Sequence, residues 1–481
     1  MTAPGAPGAS GATGAPPTRT ERDPLGPVEV PVGALYGAQT QRAVENFPIS
    51  GATMAPDFVR AVVLIKRAAA LTHRGTGRLD ARRADAIVRA ADEVLAGAHA
   101  DQFVVDVFQA GAGTSLNMNV NEVLANRANE LLGAARGVYD PVHPNDHVNM
   151  AQSTNDVIPT AIRLAALAAE EPLSAALKGL RGALADRAAA FRDIVKAGRT
   201  HLQDAMPIRL GQEFAAWGGT IERNARRIGE AADYLRDLGI GGSAVGTGVN
   251  VEPAYPERIV AHLREATGLT LRVGADRVQL MQSMGDVAAV SGALRTFAVD
   301  LSKIASDLRL LASGPRTGLN EVRLPPVQPG SSIMPGKVNP SVPEMVNQVC
   351  YQVIGQDTTI ALAAEHGQLE LNVMMPVIGQ NLLVSLRILT NAVRVLTDRC
   401  VAGIEADAGQ AAYWVERSAA LATALAPYIG YARAAELAKE SVKTGESIRV
   451  LATRKGVLPP DELARVLDLG RMTDIGVPGA G

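Results

Sequence analysis

Aromatic residues and cysteines are scarce in this sequence. Aromatic side chains make up 4% of the 481 residues, and Ala, Leu and Val dominate the apolar positions. This composition favours helices packed on helices over a sheet core. The two cysteines, Cys350 and Cys400, stand inside apolar helical patterns and form no spaced framework. They therefore indicate buried thiols in a reducing compartment.

Net charge and very long apolar runs are lacking as well. The net charge of -2 gives no reason to expect nucleic acid or an anionic membrane as a partner. No apolar run approaches the ~18 residues that a membrane-spanning helix needs. The first residues show no charged stretch followed by an apolar core. The sequence thus predicts a cytoplasmic protein.

Long helical periodicity is what the sequence does contain. Apolar residues repeat three and four positions apart at 154–195, and in four further runs at roughly 208–238, 281–311, 342–364 and 377–404. Helices of this length joined by Gly-rich loops predict a mostly α protein with a central bundle of long helices.

Composition also divides the chain into segments. Residues 1–18 hold Gly, Ala and Pro with few side chains able to pack, which predicts a disordered tail. Residues 19–150 form a predicted N-terminal domain, and residues 151–408 form the central long-helix domain. Residues 409–481 return to shorter helices and predict a small C-terminal helical domain.

The first of four polar islands is "GAGTSLNMNVNEV", residues 111–123. Thr114, Asn117 and Asn121 are spaced three and four apart, so they share one helix face after a flexible turn. A helix cap followed by a solvated face is the ordinary alternative. Asparagine is a poor helix former, however, and its repetition here favours a binding surface.

The second island is "HPNDHVNMAQSTNDVIPT", residues 143–160. Ser153, Thr154 and Asn155 stand immediately before the longest helical run. The free N–H groups and the dipole of a helix N-terminus attract a carboxylate or phosphate. A plain cap would need only one such residue, whereas three occur in a row.

The third island is "GRTHLQDAMPIRLGQEF", residues 198–214. His201 is one of 7 histidines, and Thr200 precedes it in a loop bounded by Gly and Pro. A lone histidine is often a structural residue. Its polar neighbours in such a loop make a catalytic role equally reasonable.

The fourth island is "GSSIMPGKVNP", residues 330–340, whose glycines and prolines specify a loop. Lys337 can neutralise a carboxylate, Asn339 can add a directional hydrogen bond, and Ser331 supplies a hydroxyl. Glu344 follows in the pattern S-x-x-E, which also fits a capping box for the next helix.

The islands together offer hydroxyls, amides, a lysine, a histidine and a carboxylate. No set of His, Cys or Asp has metal-ligand spacing, and no dinucleotide or phosphate-loop glycine motif is present. The glycine-rich "GGSAVGTGVN", residues 241–250, does not follow a convincing strand and predicts a loop near the site. This set suits a small dianionic acid handled by acid–base chemistry without a metal or cofactor.

"GSSIMPGKVNP" resembles the signature of the fumarase/aspartase superfamily, and the other islands resemble its remaining regions in order and spacing. The resemblance runs from about Arg19 to the C-terminus. It implies a homotetramer of three-domain subunits with a twenty-helix core, and active sites that each draw on three subunits. It also implies an elimination next to a carboxylate that yields fumarate.

The resemblance further implies that Ser331 is the general base that removes the β-proton, through an aci-carboxylate intermediate. Asn117, on the same helix face as Thr114, is also predicted to bind substrate. The resemblance places the remaining polar side chains around the substrate. Lys337, Asn339 and Thr154 would bind the other carboxylate, and Thr114, Ser153 and Asn155 would surround the leaving group. Thr200 and His201 would contact the substrate, with Glu344 paired to His201.

The identity of the leaving group is predicted from smaller differences in sequence. "GAGTS" resembles the form in ammonia-lyases acting on aspartate, since hydratases usually have a serine where this chain has Ala112. "QSTND" also resembles ammonia-lyases, whereas "YGAQTQRAVENF", "YIGYARAAELAKES" and "HPND" with His143 resemble fumarate hydratases. A missing hydroxyl at Ala112 favours ammonia over water. We therefore expect ammonia release from L-aspartate, with hydration of fumarate as the alternative.

A protein that keeps the fold without catalysis is a further alternative. Loss of catalysis predicts erosion of the polar islands. The islands here retain Ser331, Lys337, Asn339, His201 and Glu344, so the sequence favours an enzyme.

Overall fold

The computed structural model describes residues 17–480, and these residues form a mostly α protein, as predicted. The predicted tail lies outside the described residues, apart from Pro17 and Thr18, and Thr18 begins the first strand. The described chain divides into two compact units. Unit 1 comprises the chain up to Ala168, Asp233–Ala288 and Thr359–Val384, and unit 2 comprises Ala169–Ala232, Ala289–Thr358 and the chain from Ser385. The division into three domains remains a prediction.

Sixteen α-helices are described between residues 17 and 480. They are α1 (Ala38–Asn46), α2 (Pro56–Thr76), α3 (Ala81–Leu95), α4 (Thr114–Leu131), α5 (Thr154–Ala190), α6 (Leu210–Asp233), α7 (Tyr255–Thr267), α8 (Arg277–Gln282), α9 (Gly285–Leu311), α10 (Ser341–Glu365), α11 (Met375–Arg399), α12 (Ala408–Arg417), α13 (Ala426–Ile429), α14 (Tyr431–Thr444), α15 (Ile448–Lys455) and α16 (Pro460–Val466). None of the described helices is both long and apolar enough to cross a membrane.

The strands are short and form two-stranded pairs. They are β1 (Thr18–Asp23), β2 (Gly26–Pro31), β3 (Val195–Thr200), β4 (Gln203–Arg209), β5 (Asp237–Leu238), β6 (Arg272–Val273), β7 (Val322–Arg323) and β8 (Glu405–Ala406). The β5–β6 pair is parallel, and the β1–β2, β3–β4 and β7–β8 pairs are antiparallel. The core of both units is therefore helical.

The long helices of unit 2 are joined by polar pairs within an apolar core. The pairs, which link α6 to α9, α9 to α10 and α10 to α11, are Asn224–Asp300 at 2.7 Å, Ser291–Asp357 at 2.7 Å and Ser385–Gln356 at 2.6 Å. A polar group buried in such a core is costly unless its partner is in place. These pairs therefore fix how the bundled helices are aligned.

The C-terminal helices of unit 2 surround their own apolar cluster. Leu425, Leu451 and Val466 are fully buried there, together with Ala197 of β3. Arg209 Nε of β4 donates to Thr473 Oγ1 at 2.7 Å. The β3–β4 hairpin is thus held by the C-terminal helices.

In unit 1, a buried carboxylate joins α4 to the start of α1. Glu122 accepts hydrogen bonds from the backbone N–H groups of Gly37, Gln39 and Thr40 at 2.9–3.1 Å, and from Thr40 Oγ1 at 2.6 Å. Burial raises the pKa of Glu122, although these donors oppose the rise. Because α4 also carries Thr114 and Asn117, this contact helps to place the first polar island.

Substitution of Gly37 tests that contact. A Cβ at Gly37 would overlap the Tyr139 hydroxyl and lie 2.5 Å from Glu21 Oε2, so we expect Gly37→Ala to destabilise the protein by about 1–3 kcal/mol. The matched control is Gly33→Ala, because no atom lies within 4 Å of its added Cβ; we expect a change within about 0.5 kcal/mol. Thermal unfolding at one scan rate measures both, and equal midpoints would contradict the prediction.

Candidate active site

The first and second polar islands meet in unit 1. Asn117 Nδ2 donates to Thr154 Oγ1 at 3.2 Å and to Asn149 Oδ1 at 3.3 Å. The Asn117 side chain is buried, and its Oδ1 has no hydrogen-bond partner among the described residues. A ligand that brings an N–H or O–H group would satisfy this acceptor.

The N-terminus of α5 is fixed by Asp156. This carboxylate is fully buried and accepts hydrogen bonds from the backbone N–H groups of Ser153, Gly241 and Ser243 at 2.9–3.0 Å. Burial raises the pKa of Asp156 to about 6, and the three donors oppose the rise. Asn155 Nδ2 also donates to Ala244 O at 2.8 Å. The glycine-rich loop at 241–250 therefore lies against the residues that begin α5.

Thr114 lies at the start of α4, after a turn in the left-handed region. Ala112 and Gly113 have φ of 60° and 83°, and Ala112 N donates to Val373 O at 2.7 Å. Ala112 is buried, whereas Thr114 is exposed. The position that carries a serine in the hydratase pattern is thus enclosed and has no hydroxyl.

In unit 2, the loop at residues 330–340 is closed by its own backbone. Gly330 N donates to Lys337 O at 2.8 Å, and Asn339 Nδ2 donates to Gly330 O at 2.7 Å. Ser331 Oγ accepts from the N–H groups of Ile333 at 3.2 Å and Met334 at 3.0 Å. Hydrogen bonds to a hydroxyl oxygen favour its deprotonated form.

Thr200 and His201 lie at the exposed turn of the β3–β4 hairpin. His201 and Leu202 have φ of 55° and 61°, and Thr200 pairs with Gln203. Two successive residues with positive φ suit a two-residue hairpin turn. The turn presents the His201 side chain to solvent.

A buried carboxylate anchors this hairpin. Glu321 is fully buried and forms ion pairs with Lys196 at 3.2 Å and with Arg199 at 3.0 Å. Both cations lie on β3, just before His201. Glu321 also precedes β7 and the loop that carries Ser331. One residue thus fixes the base of the hairpin and the start of the loop.

Glu344 lies in the first turn of α10 and is exposed. The predicted capping box does not form, because α10 begins at Ser341 and Glu344 N donates to Pro340 O at 3.2 Å. Within residues 17–480, the Glu344 carboxylate makes no hydrogen bond, and none joins it to His201. The helix start therefore does not use this carboxylate.

The predicted site residues thus fall into two sets. Unit 1 holds Thr114, Asn117, Ser153, Thr154 and Asn155, and unit 2 holds Thr200, His201, Ser331, Lys337, Asn339 and Glu344. Among the described residues, no group of three or more His, Cys, Asp or Glu side chains is arranged to hold a metal ion.

Three polar residues beside Asn117 were not predicted from the sequence: Lys66, Asn149 and Gln152. Lys66 Nζ donates to Asn149 Oδ1 at 2.8 Å and to Gln152 Oε1 at 3.0 Å, directly beside Asn117. Lys66 interrupts the apolar run "AVVLIKRAAAL" of α2. A cation on the apolar face of a helix is the pattern that could have revealed it.

Known proteins are similar to this chain over nearly its whole length. A lyase family model matches residues 26–355, and a model of the fumarase C C-terminus matches residues 421–474. Aspartate ammonia-lyase of Bacillus subtilis is 48% identical over 462 residues, covering 96% of this chain and 97% of that protein. Fumarate hydratase class II of Halobacterium salinarum is 52% identical over 460 residues, covering 95% and 98%.

A solved structure agrees in fold. The crystal structure of a recombinant class II fumarase from Schistosoma mansoni matches with a TM-score of 0.92 and 36% identity, covering 95% of this chain and 99% of that one. Because the family model spans more than half of the residues and these relatives match over nearly their full length, the chain belongs to the fumarase/aspartase superfamily of lyases.

Proposed function

We propose that this lyase reversibly eliminates ammonia from L-aspartate to give fumarate, without a cofactor. The observation that carries the proposal is the environment of Ser331, whose Oγ accepts two backbone hydrogen bonds from Ile333 and Met334. A neutral serine is a poor base. Donors aimed at its oxygen stabilise the alkoxide that proton abstraction requires.

In the proposed reaction, the Ser331 alkoxide takes the β-proton of aspartate. The electron pair of the C–H bond moves into the adjacent carboxylate and forms the aci-carboxylate. Its return forms the C=C bond as the C–N bond breaks, and the protonated amino group (–NH3+) leaves with that bonding pair as ammonia. The proton on Ser331 then passes to solvent, so atoms and charge balance.

Lys337, Asn339 and Thr154 are the proposed ligands of the other carboxylate. Lys337 is exposed on the loop, so its ammonium group is accessible to a ligand. One N–H of the Asn339 amide already donates to Gly330 O, which leaves its second N–H for substrate. A lysine and neutral donors together suit a carboxylate.

The surroundings of Ala112 favour ammonia as the leaving group. A hydratase must hold a hydroxyl or water as it leaves, and a serine hydroxyl at this position would help to do so. This chain has a buried methyl group there. Asn117 Oδ1, a buried acceptor, suits the ammonium donors of aspartate. Thr114, Ser153 and Asn155 would complete this side of the pocket.

Hydration of fumarate to L-malate is the second candidate. The Halobacterium salinarum relative, named fumarate hydratase class II, is 52% identical to this chain. The "HPND" turn provides the specific observation, because His143 Nδ1 accepts from the N–H groups of Asn145 and Asp146 at 3.2–3.3 Å. This fixed imidazole matches the hydratase pattern of a secondary carboxylate site.

We also propose that the active protein is a homotetramer in which three subunits contribute to each active site. Three apolar side chains of the proposed catalytic loop, Ile333, Met334 and Val338, are 84%, 47% and 52% exposed, and such a cluster is typical of an interaction surface. His201 and Glu344 are exposed and unpaired with one another in one chain. The proposed His201–Glu344 pair would form between subunits, and Thr200 would contact substrate beside it.

A reducing, cytoplasmic location fits the cysteines. Cys350 and Cys400 are free and buried, and burial raises the pKa of both thiols to about 12. A protonated, buried thiol is unreactive. Neither cysteine is assigned a role in the elimination.

Substrate choice is the direct test. We expect the purified protein to release fumarate from L-aspartate faster than from L-malate, as followed by ultraviolet absorbance. Ala112→Ser should shift kcat/KM toward malate by about tenfold, the value of one added hydrogen bond. Fumarate from malate alone would establish the hydratase instead.

The role of Ser331 is tested separately. Ser331→Ala should lower kcat by about 10³-fold or more, because it removes the proposed base while the loop contacts of Gly330 and Asn339 remain. Ser332→Ala is the matched control, since Ser332 is the exposed neighbour on the same loop, and it should stay within about threefold of wild type. Wild-type turnover by Ser331→Ala would rule out the mechanism.

Shared sites predict complementation between inactive variants. Ser331→Ala and His201→Ala should each have low activity alone, because each site would lack one group. Co-expression should form mixed tetramers in which some sites take both intact residues from different subunits, and activity should return. Light scattering gives the assembly state. A mixture no more active than the sum of its parts would contradict sharing of the site.

A further inference from the structure

Lys66 is a fully buried lysine next to the predicted substrate-binding residues of unit 1. Its side chain has 0% exposure, and its hydrogen-bond partners are the neutral amide oxygens of Asn149 and Gln152. No carboxylate of the described chain lies within ion-pair distance of its Nζ. A buried cation normally has such a partner, since a lone buried charge is costly.

A short chain of hydrogen bonds connects Lys66 to Thr154. Asn149 Oδ1 accepts from Lys66 Nζ at 2.8 Å and from Asn117 Nδ2 at 3.3 Å. Asn117 Nδ2 also donates to Thr154 Oγ1 at 3.2 Å. The ammonium group therefore orients Asn149, and Asn149 in turn orients the amide that contacts the Thr154 hydroxyl.

The carboxylate that attracts Lys66 is already engaged in hydrogen bonds of its own. Asp156 attracts Lys66, yet its carboxylate accepts three backbone hydrogen bonds from Ser153, Gly241 and Ser243. Burial lowers the pKa of Lys66 to about 7, and Asp156 only partly opposes this shift. The positive charge is thus poorly compensated within the chain, and an anionic ligand would stabilise it.

We propose that Lys66 is a positioning residue for the proposed lyase reaction: a buried cation that acts through Asn149 and Asn117 on Thr154 and makes this side of the site selective for dianionic ligands. The inference rests on the proposed function, because that function places a substrate carboxylate at Thr154. The ligand class is a four-carbon dicarboxylate rather than a monocarboxylate of equal length.

Other titratable groups face the same region. His73, on α2, stacks on Tyr255 of α7 at 5.0 Å, and its Nε2 contacts Met150 O at 3.0 Å. Burial lowers the pKa of His73 and raises that of Tyr255, so both are neutral near pH 7. Burial raises the pKa of Asp156 on α5 to about 6, so its carboxylate is largely ionised above pH 7. Loss of the Lys66 proton is therefore the charge change expected just above neutrality.

The test compares succinate and butyrate, which have equal chain length and differ by one carboxylate. Calorimetry on the purified full chain gives Kd from about pH 6.5 to about pH 9. For wild type, the succinate Kd should rise about tenfold across this range as Lys66 loses its proton. For Lys66→Met, the succinate Kd should be at least tenfold higher than that of wild type at the lowest pH, and it should no longer depend on pH. The butyrate Kd should change less than threefold.

Thr72→Val is the matched control. Thr72 is buried on the same helix, and its hydroxyl donates only within α2, to Ala68 O at 2.8 Å. The variant should keep the wild-type succinate profile. If Lys66 had only a structural role, Lys66→Met would raise the Kd of succinate and of butyrate equally, and the succinate Kd would still depend on pH. That result would overturn the proposal.

The remaining outcomes are also decisive. If Lys66→Met does not fold, the wild-type profile decides alone, because a succinate Kd that is flat above neutrality contradicts a role for the Lys66 charge. Wild-type protein that turns over aspartate or malate, with Lys66→Met unchanged in binding, removes only the Lys66 role. Wild-type protein that neither binds succinate nor turns over either acid overturns the proposed function, and this inference with it.

Discussion

The buried carboxylate of Asp156 is the constraint on which the candidate site residues of unit 1 depend. A fully buried carboxylate is tolerated only when its oxygens accept hydrogen bonds, and here the backbone supplies all three donors. Those donors come from the residue before α5 and from the glycine-rich loop. Since Thr154 and Asn155 lie between Asp156 and its first donor, Ser153, the positions of all three residues follow from satisfying this one carboxylate.

In unit 2, Glu321 is a second buried carboxylate that needs partners. This buried carboxylate forms ion pairs with Lys196 and Arg199 of β3, so the strand that leads to the turn at His201 is held in place. The residues beyond the anchor are left exposed, as are Lys337 and most of its loop. A rigid segment held by ion pairs, followed by exposed reactive side chains, is a common way to place catalytic groups on loops.

The fold was largely predictable because its strongest pattern is local. The run expected at 342–364 is α10, and the run expected at 281–311 contains α9. Position-specific glycines marked the Ser331 loop for the same reason. Contacts between distant segments were not predictable: the pairing of Lys66 with Asn149 depends on how α2 packs. The S-x-x-E pattern at Glu344 failed as a cap because the helix starts at Ser341, one residue earlier than that motif requires.

The choice between ammonia and water is hard to predict because the shared chemistry does not depend on it. The proposed proton abstraction by Ser331 and the proposed carboxylate binding by Lys337 would serve either elimination, so the polar islands alone do not distinguish the two reactions. The difference proposed to select the leaving group is small, since it is the one hydroxyl that Ala112 lacks relative to serine. Relatives with either name can therefore be about equally similar to this chain. The role proposed for Lys66 would add affinity for dicarboxylates without distinguishing them, since aspartate, malate and fumarate all carry two carboxylates.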